Sequence, residues 1–204
     1  MIDTALEFLT NEINAYLNLQ NLPISGTTTE IVLTNVAAED GNWAIPPQSL
    51  GLSLINIEEE RVFKDQQTSF RNEQGNIEHY NPNLKLNLYI LVSANFAAGV
   101  AGGTTNVTGI YGEGLKQLSY VIRFFQGKYV FTPDNSPALQ LPITKLVVEL
   151  YSSSFEQQYN FWNVVGAKYL PSVLYKVRML TYQEKRLLDS QQPITSIDLS
   201  TSQS

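Results

Sequence analysis

A chain of 204 residues, 43% hydrophobic and only 16% charged, is long enough for one generous domain whose core buries roughly 70% of the unfolded surface. Its net charge of −6 argues against nucleic acid as a partner, because Lys and Arg drive binding to phosphate backbones. The absence of cysteine excludes disulfides and thiolate metal sites, and no run of 18 uncharged apolar residues offers a membrane span.

Charged residues usually make up about 25% of a globular chain. Here Asn, Gln, Ser and Thr replace them, and such a surface desolvates readily. It suits an assembly subunit, and it suits equally a monomer with an amide-rich surface. The start of the chain has Asp3 and Glu7 where a secretion signal is basic, which places synthesis and assembly in the cytoplasm as an expectation.

In chain order, the first element is a helix from about Ile2 to Leu19, capped by Asp3 or Thr4. Ile2, Leu6, Leu9, Ile13, Tyr16 and Leu17 recur by threes and fours as its main apolar stripe. Phe8, Ala15 and Leu19 form a thinner second stripe, which needs a cover from the same chain or from a neighbour. Thr29 to Ala37 reads as a strand, and the Asp-Gly and Pro-Pro punctuation of residues 39–49 as a loop. Leu50 to Phe63 reads as a long strand with Leu50, Leu52 and Leu54 on one face. The polar residues 64–83 suit a loop or a ragged hairpin. Asn83 to Phe96 is the strongest strand: Leu84, Leu86, Leu88, Ile90, Val92 and Ala94 alternate with Lys85, Asn87, Tyr89, Leu91 and Ser93.

Ala97 to Gly114 is rich in Gly and Thr and reads as a loop. A second helix follows, roughly Leu115 to Gln126, closed by Gly127. Lys128 to Thr132 is a short strand and Thr144 to Ser152 another. Ser153 and Glu156 form a capping-box pair that opens a third helix. Pro171 stops that helix, and Val173 to Tyr182 reads as a final strand. The residues after Leu188 are polar and lack a helical pattern, so a domain over 1–188 and a tail or arm over 189–204 are expected. The order suits a single α+β domain: a mixed sheet flanked by about three helices, mainly on one face.

Few residues carry chemistry. His79 is the sole histidine and lies in the polar segment beside Glu78. One histidine and no cysteine give no zinc spacing, so no cofactor or metal is expected. In "GIYGEGLK" (Gly109 to Lys116) Leu115 separates the last glycine from the lysine, which breaks the phosphate-loop spacing. Of the carboxylates in "EEER", only Glu58 and Glu60 can share a strand face.

The stretch "FEQQYNFWNVVGAKYLPSVLYKVRML" (Phe155 to Leu180) is more informative. Phe155, Tyr159, Trp162, Val165 and Tyr169 form one helical stripe, with Phe161 and Val164 well off it. The helix is therefore apolar over more than one core-facing stripe. In the strand beyond, Val173, Tyr175, Val177 and Met179 face one way. Leu174, Lys176, Arg178 and Leu180 face the other, expected to point away from the helix and toward water or carboxylates.

The chain resembles the N-terminal domain of the cap, or tail-terminator, proteins of phage-tail-like contractile injection systems. The resemblance rests on "MIDTALEFLTNEINAYL", "LKLNLYILVSANF", "LSYVIRFFQGKYVFT" and above all W-x-x-x-G-x-x-Y-x-P-S-x-x-Y-K-x-R from Trp162 to Arg178. It implies a non-enzymatic structural subunit, a hexameric ring binding the sheath and inner tube at their end, within a particle that is released or membrane-anchored. Phe8, Leu19, Lys176 and Arg178 are candidate contact residues, and Ile197 and Leu199 mark a candidate arm over Pro193 to Leu199. The alternatives are a collar or adaptor between tube and baseplate, and a small-ligand binder using a pocket between sheet and helices.

Overall fold

The computed structural model describes residues 1–20, 23–24, 27–60, 69–71, 76–79, 84–96, 107–181 and 189–191. Its elements are α1 (Ile2–Leu19), β1 (Pro23–Ile24), β2 (Thr27–Thr28), β3 (Ile31–Leu33), β4 (Ser49–Glu59), β5 (Ser69–Arg71), β6 (Ile77–His79) and β7 (Lys85–Asn95). They continue with α2 (Val107–Gly127), β8 (Val130–Phe131), β9 (Ile143–Leu150), α3 (Phe155–Val165), β10 (Ser172–Thr181) and β11 (Asp189–Gln191).

Six strands form one mixed sheet in the order β3-β4-β7-β10-β9-β8. Neighbours run antiparallel except β3 and β4, which are parallel. The alternation read in β7 holds: Leu88, Ile90, Val92 and Ala94 are buried on one face. Asn87, Leu91 and Ser93 are buried on the other, so the middle of β7 is covered on both sides. In β4, Leu50 and Leu52 are fully buried and Leu54 packs beside them. A register shift between Leu54 and Asn56 then changes the pairing with β7.

α1 spans the residues its periodicity indicated. Its N-cap is Met1, with no side-chain cap. Asp3 instead accepts from the amino terminus, which holds its carboxyl below the usual range. Ala5, Leu6, Leu9, Ile13 and Leu17 pack onto the sheet. The helix also touches both margins of that sheet. The Asn14 side chain bonds both the N–H and the C=O of Ile31 in β3, each at 2.9 Å. Phe8 meets Phe131 of β8 edge-on at 5.5 Å, and Lys128 reaches Glu12 at 2.8 Å. The sheet therefore curls around α1, which fills the gap between its first and last strands.

α2 packs on the same face through Leu118, Val121, Phe124 and Phe125. It begins at Val107, eight residues before the expected start, so "GIYGEG" is helix rather than loop. Glycine costs about 1 kcal/mol in a helix, which hides such a segment from propensity. Packing explains Gly114: a Cβ there would sit 2.8 Å from Phe96, so only glycine lets the helix approach the end of β7 this closely. Gly127 is the last helical residue and has no left-handed backbone.

α3 lies on the opposite face of the sheet, against a separate cluster of Val36, Ile45, Leu91, Trp162 and Leu170. Helices mainly on one face thus describes α1 and α2 alone. The helix opens one residue later than expected: Ser154 caps it and forms a reciprocal box with Gln157, not Ser153 with Glu156. It ends at Gly166, whose φ of 71° is left-handed and whose N–H bonds the Trp162 carbonyl, five residues before Pro171.

The polar segment 64–83 does contain a hairpin in its described part, β5 with β6. His79 belongs to β6 rather than to a loop. β11, at the start of the expected tail, adds to β6 and makes a separate three-stranded sheet.

Candidate assembly surface

The motif from Trp162 to Arg178 builds one side of the molecule residue by residue. Trp162 is the only buried residue of α3. Tyr169 stacks edge-on against it at 5.4 Å, after the left-handed turn at Gly166 brings the chain back. Trp43 Nε1 donates to the Lys168 carbonyl at 3.0 Å and ties the 39–49 loop to the same turn. Leu170 is buried, and the Pro171 carbonyl accepts from Ala94 N of β7 at 2.9 Å, which docks β10 in register. Tyr175 then enters the main core against Phe125, 4.8 Å between ring centres. Burial alone pushes its phenol pKa well up. The motif is thus chiefly a set of folding instructions.

Leu174 of β10 packs beneath α3 with Trp162. Lys176 and Arg178 alternate with it and share its face. They do not point away from the helix; they lie farther down the strand on the helix's own side. Arg178 makes a two-pronged contact with Glu149 of β9, Nε to Oε2 at 3.3 Å and a terminal nitrogen to Oε1. The carboxylate it meets belongs to its own chain. Lys176 sits across from Glu149 on one side and Tyr89 on the other.

Glu58 and Glu60 do share this face. Tyr89 donates to Glu58 Oε2 at 3.0 Å and Asn87 Nδ2 to Glu60 Oε2 at 3.1 Å. Desolvation, then the bond to Glu58, raises the Tyr89 pKa. The outer face therefore has two halves, an aromatic one under α3 and a polar one of paired carboxylates and cations.

Between α3 and the sheet runs a cleft of about 430 Å³. Leu91, Leu174, Ile55 and Trp162 line its apolar floor, and Ser152, Ser153, Gln157 and Gln158 its walls. Outside it, Phe155 is 91% exposed, Tyr159 68% and Val164 88%.

Of the residues picked from sequence, Leu19 is 78% exposed at the end of α1. Phe8 is buried, because its side of α1 faces Phe131 across the curled sheet, so it is no part of an outer stripe. Lys176 and Arg178 are half-buried on the outer face. Ile197 and Leu199 lie outside the described residues. Sequence reasoning noted the excess apolar width of this helix but named none of Phe155, Tyr159 and Val164 as a contact residue. Their signal was present in the breadth of the apolar arc of α3.

A curled mixed sheet closed by α1, with the aromatic α3 standing on its outside, defines a single α+β domain. The family model described as the Pvc16 N-terminal domain matches residues 4–196, and the chain belongs to that family. Two solved structures share its fold. One is the PVC sheath/tube terminator of an extracellular contractile injection system in its extended state, with 13% identity and a TM-score of 0.58 over 100% of this chain and 64% of that one. The other is the tube-terminating cap of the anti-feeding prophage, with 12% identity and a TM-score of 0.53 over 98% and 61%. The chain thus spans less than two thirds of either. A comparison with curated proteins gave no match. No described helix is long and apolar enough to cross a membrane.

Proposed function

We propose that this chain is a cap subunit of a contractile injection system, assembled in the cytoplasm as a hexameric ring that ends the sheath and inner tube. The observation that carries this reading is the family match across residues 4–196, joined to a fold shared over the whole chain with two terminators. The work is mechanical, with no reaction catalysed. A tube or sheath grows by heterologous contacts that leave a fresh binding surface after each layer. Growth stops when a ring matches the last layer below and presents a different surface above. Holding that end through contraction needs broad contacts, of about 1,000 Å² or more each. The exposed aromatic surface of α3 and the end of α1 at Leu19 supply area for them.

Electron microscopy of particles assembled without this chain tests the reading. Overlong or ragged sheaths are the expected result. Missing baseplates on otherwise normal tubes would instead mark an adaptor. The arm over Pro193 to Leu199 is a separable part of the proposal. It adds as a strand to a partner's sheet edge, so deleting everything after Gln191 should weaken attachment to sheath. Unchanged attachment counts against the arm and leaves the cap intact.

A further inference from the structure

The cleft beneath α3 plays no part in the assembly described above. It exists because of how the helix is held. At one end Tyr151 donates its N–H to the Leu174 carbonyl at 2.8 Å and sets its ring edge-on to Tyr89, 5.3 Å between centres. At the other end Trp162 is buried. Between Tyr151 and Phe161 only Gln158 is even half-buried. This span is fastened at its two ends and borders the cleft without filling it.

Three properties of that space define what fits. Its volume is about 430 Å³, and small-molecule sites run from roughly 300 to 1,000 Å³. Ile55, Leu91 and Leu174 give it an apolar floor, and no charged side chain among the described residues lines it. An ion entering there loses its water and gains no counter-charge, so the fitting occupant is neutral. The third property is an unspent donor. Trp162 lines the cleft and is only 7% exposed, yet its indole N–H has no acceptor among the described residues. Buried polar groups are nearly always paired, and one left alone carries its full desolvation cost. Trp43, the other tryptophan of the chain, does spend its N–H, on the Lys168 carbonyl.

We propose that the cleft is a binding site for a small neutral molecule, mostly apolar, that carries a hydrogen-bond acceptor such as a carbonyl. The body of the molecule lies on Ile55, Leu91 and Leu174, and its acceptor takes the N–H of Trp162. The side-chain amides of Gln157 and Gln158 meet its outer edge. Occupancy gives the unpacked half of α3 a surface to rest on. The site does not depend on the cap reading, and its failure leaves that reading untouched.

Benzophenone, diphenylmethane and 4-benzoylbenzoate test the three properties together, because they share one skeleton and differ in a carbonyl and a carboxylate. Calorimetric titration of the full chain should give one saturable site for benzophenone, about tenfold tighter than for diphenylmethane and tighter than for 4-benzoylbenzoate. Trp162→Phe should lower benzophenone to the affinity of diphenylmethane. Leu174→Trp, which fills the floor, should abolish binding of both. If a variant melts lower than the native chain, irradiation of the native chain with benzophenone bound is read in its place, and the cross-link should map to residues that line the cleft. The proposal is overturned by the absence of saturable benzophenone binding, or by equal affinities for benzophenone and diphenylmethane in the native chain. Tighter binding of the carboxylate, unchanged binding in a stable Leu174→Trp variant, or a cross-link on the exposed Phe155 and Tyr159 instead of the cleft overturns it as well.

Discussion

The two faces of the central sheet are built by different rules. On the inner face, α1 and α2 press side chains from almost every strand into one continuous core, and ring meets ring from Phe8 to Phe131 to Phe124 to Phe125 to Tyr175. On the outer face a single helix sets its Trp162 among four other buried residues of those described, Val36, Ile45, Leu91 and Leu170, beside a field of paired charges. The inner face spends its apolar surface within the chain, and the outer face leaves a large share of it open. The fold is thus decided on one side, and the exposed apolar side chains of α3 lie on the other.

The sharpest way to break this contrast is to cut into each face in turn. Phe131 is fully buried and touches two other rings. Phe131→Ala should cost about 4 kcal/mol, read as a lower denaturation midpoint with an unchanged slope. Trp162→Ala removes the one buried anchor of α3, yet the helix can loosen without opening the main core. Its cost should be about 2 kcal/mol, and hydrogen exchange should quicken in residues 155–165 while β7 stays protected. Equal losses from the two substitutions would erase the distinction drawn between the faces.

A third effect comes from Tyr175. Its folded pKa is raised by burial, so above about pH 10 the unfolded chain gives up a proton that the folded chain keeps. The folded state then binds more protons, and stability falls as pH rises, by about 1.4 kcal/mol per pH unit from this group. Alkaline melts of the native chain should show this slope, and Tyr175→Phe should flatten it. The smallest effect belongs to the polar half of the outer face. Arg178 and Glu149 are both partly open to solvent, so Arg178→Ala should cost about 0–1 kcal/mol in the same denaturation assay. A larger loss would mean that the polar half, too, holds the fold together.

How far the sequence was legible follows the same division. α1, β7 and β10 each carry one regular apolar stripe or face into the main core, so their spacing alone located them. α2 was cut short because Gly109, Gly112 and Gly114 look like loop, and the reason for Gly114 is a close approach to Phe96, eighteen residues away. The cap of α3 was one residue off because Ser152, Ser153 and Ser154 offer three frames, and only the reach of Gln157 selects among them. Periodicity says that a helix has an apolar side but not which face of a sheet receives it. The cations of β10 were therefore set on the wrong side of α3. Phe8 looked spare because nothing in its neighbourhood reveals that the sheet bends round to meet it. The aromatic flank of α3 was visible as excess width, and only its surroundings in three dimensions show which part stays uncovered.

The grip of Asn14 on Ile31 has a further consequence. An end strand with vacant amides invites another chain to zip on, and such additions repeat without limit. Here a side-chain amide occupies both groups of Ile31, and at the opposite margin β8 is two residues long, with Pro133 two residues beyond it. These small stoppers leave little of either margin of the sheet free for a further strand.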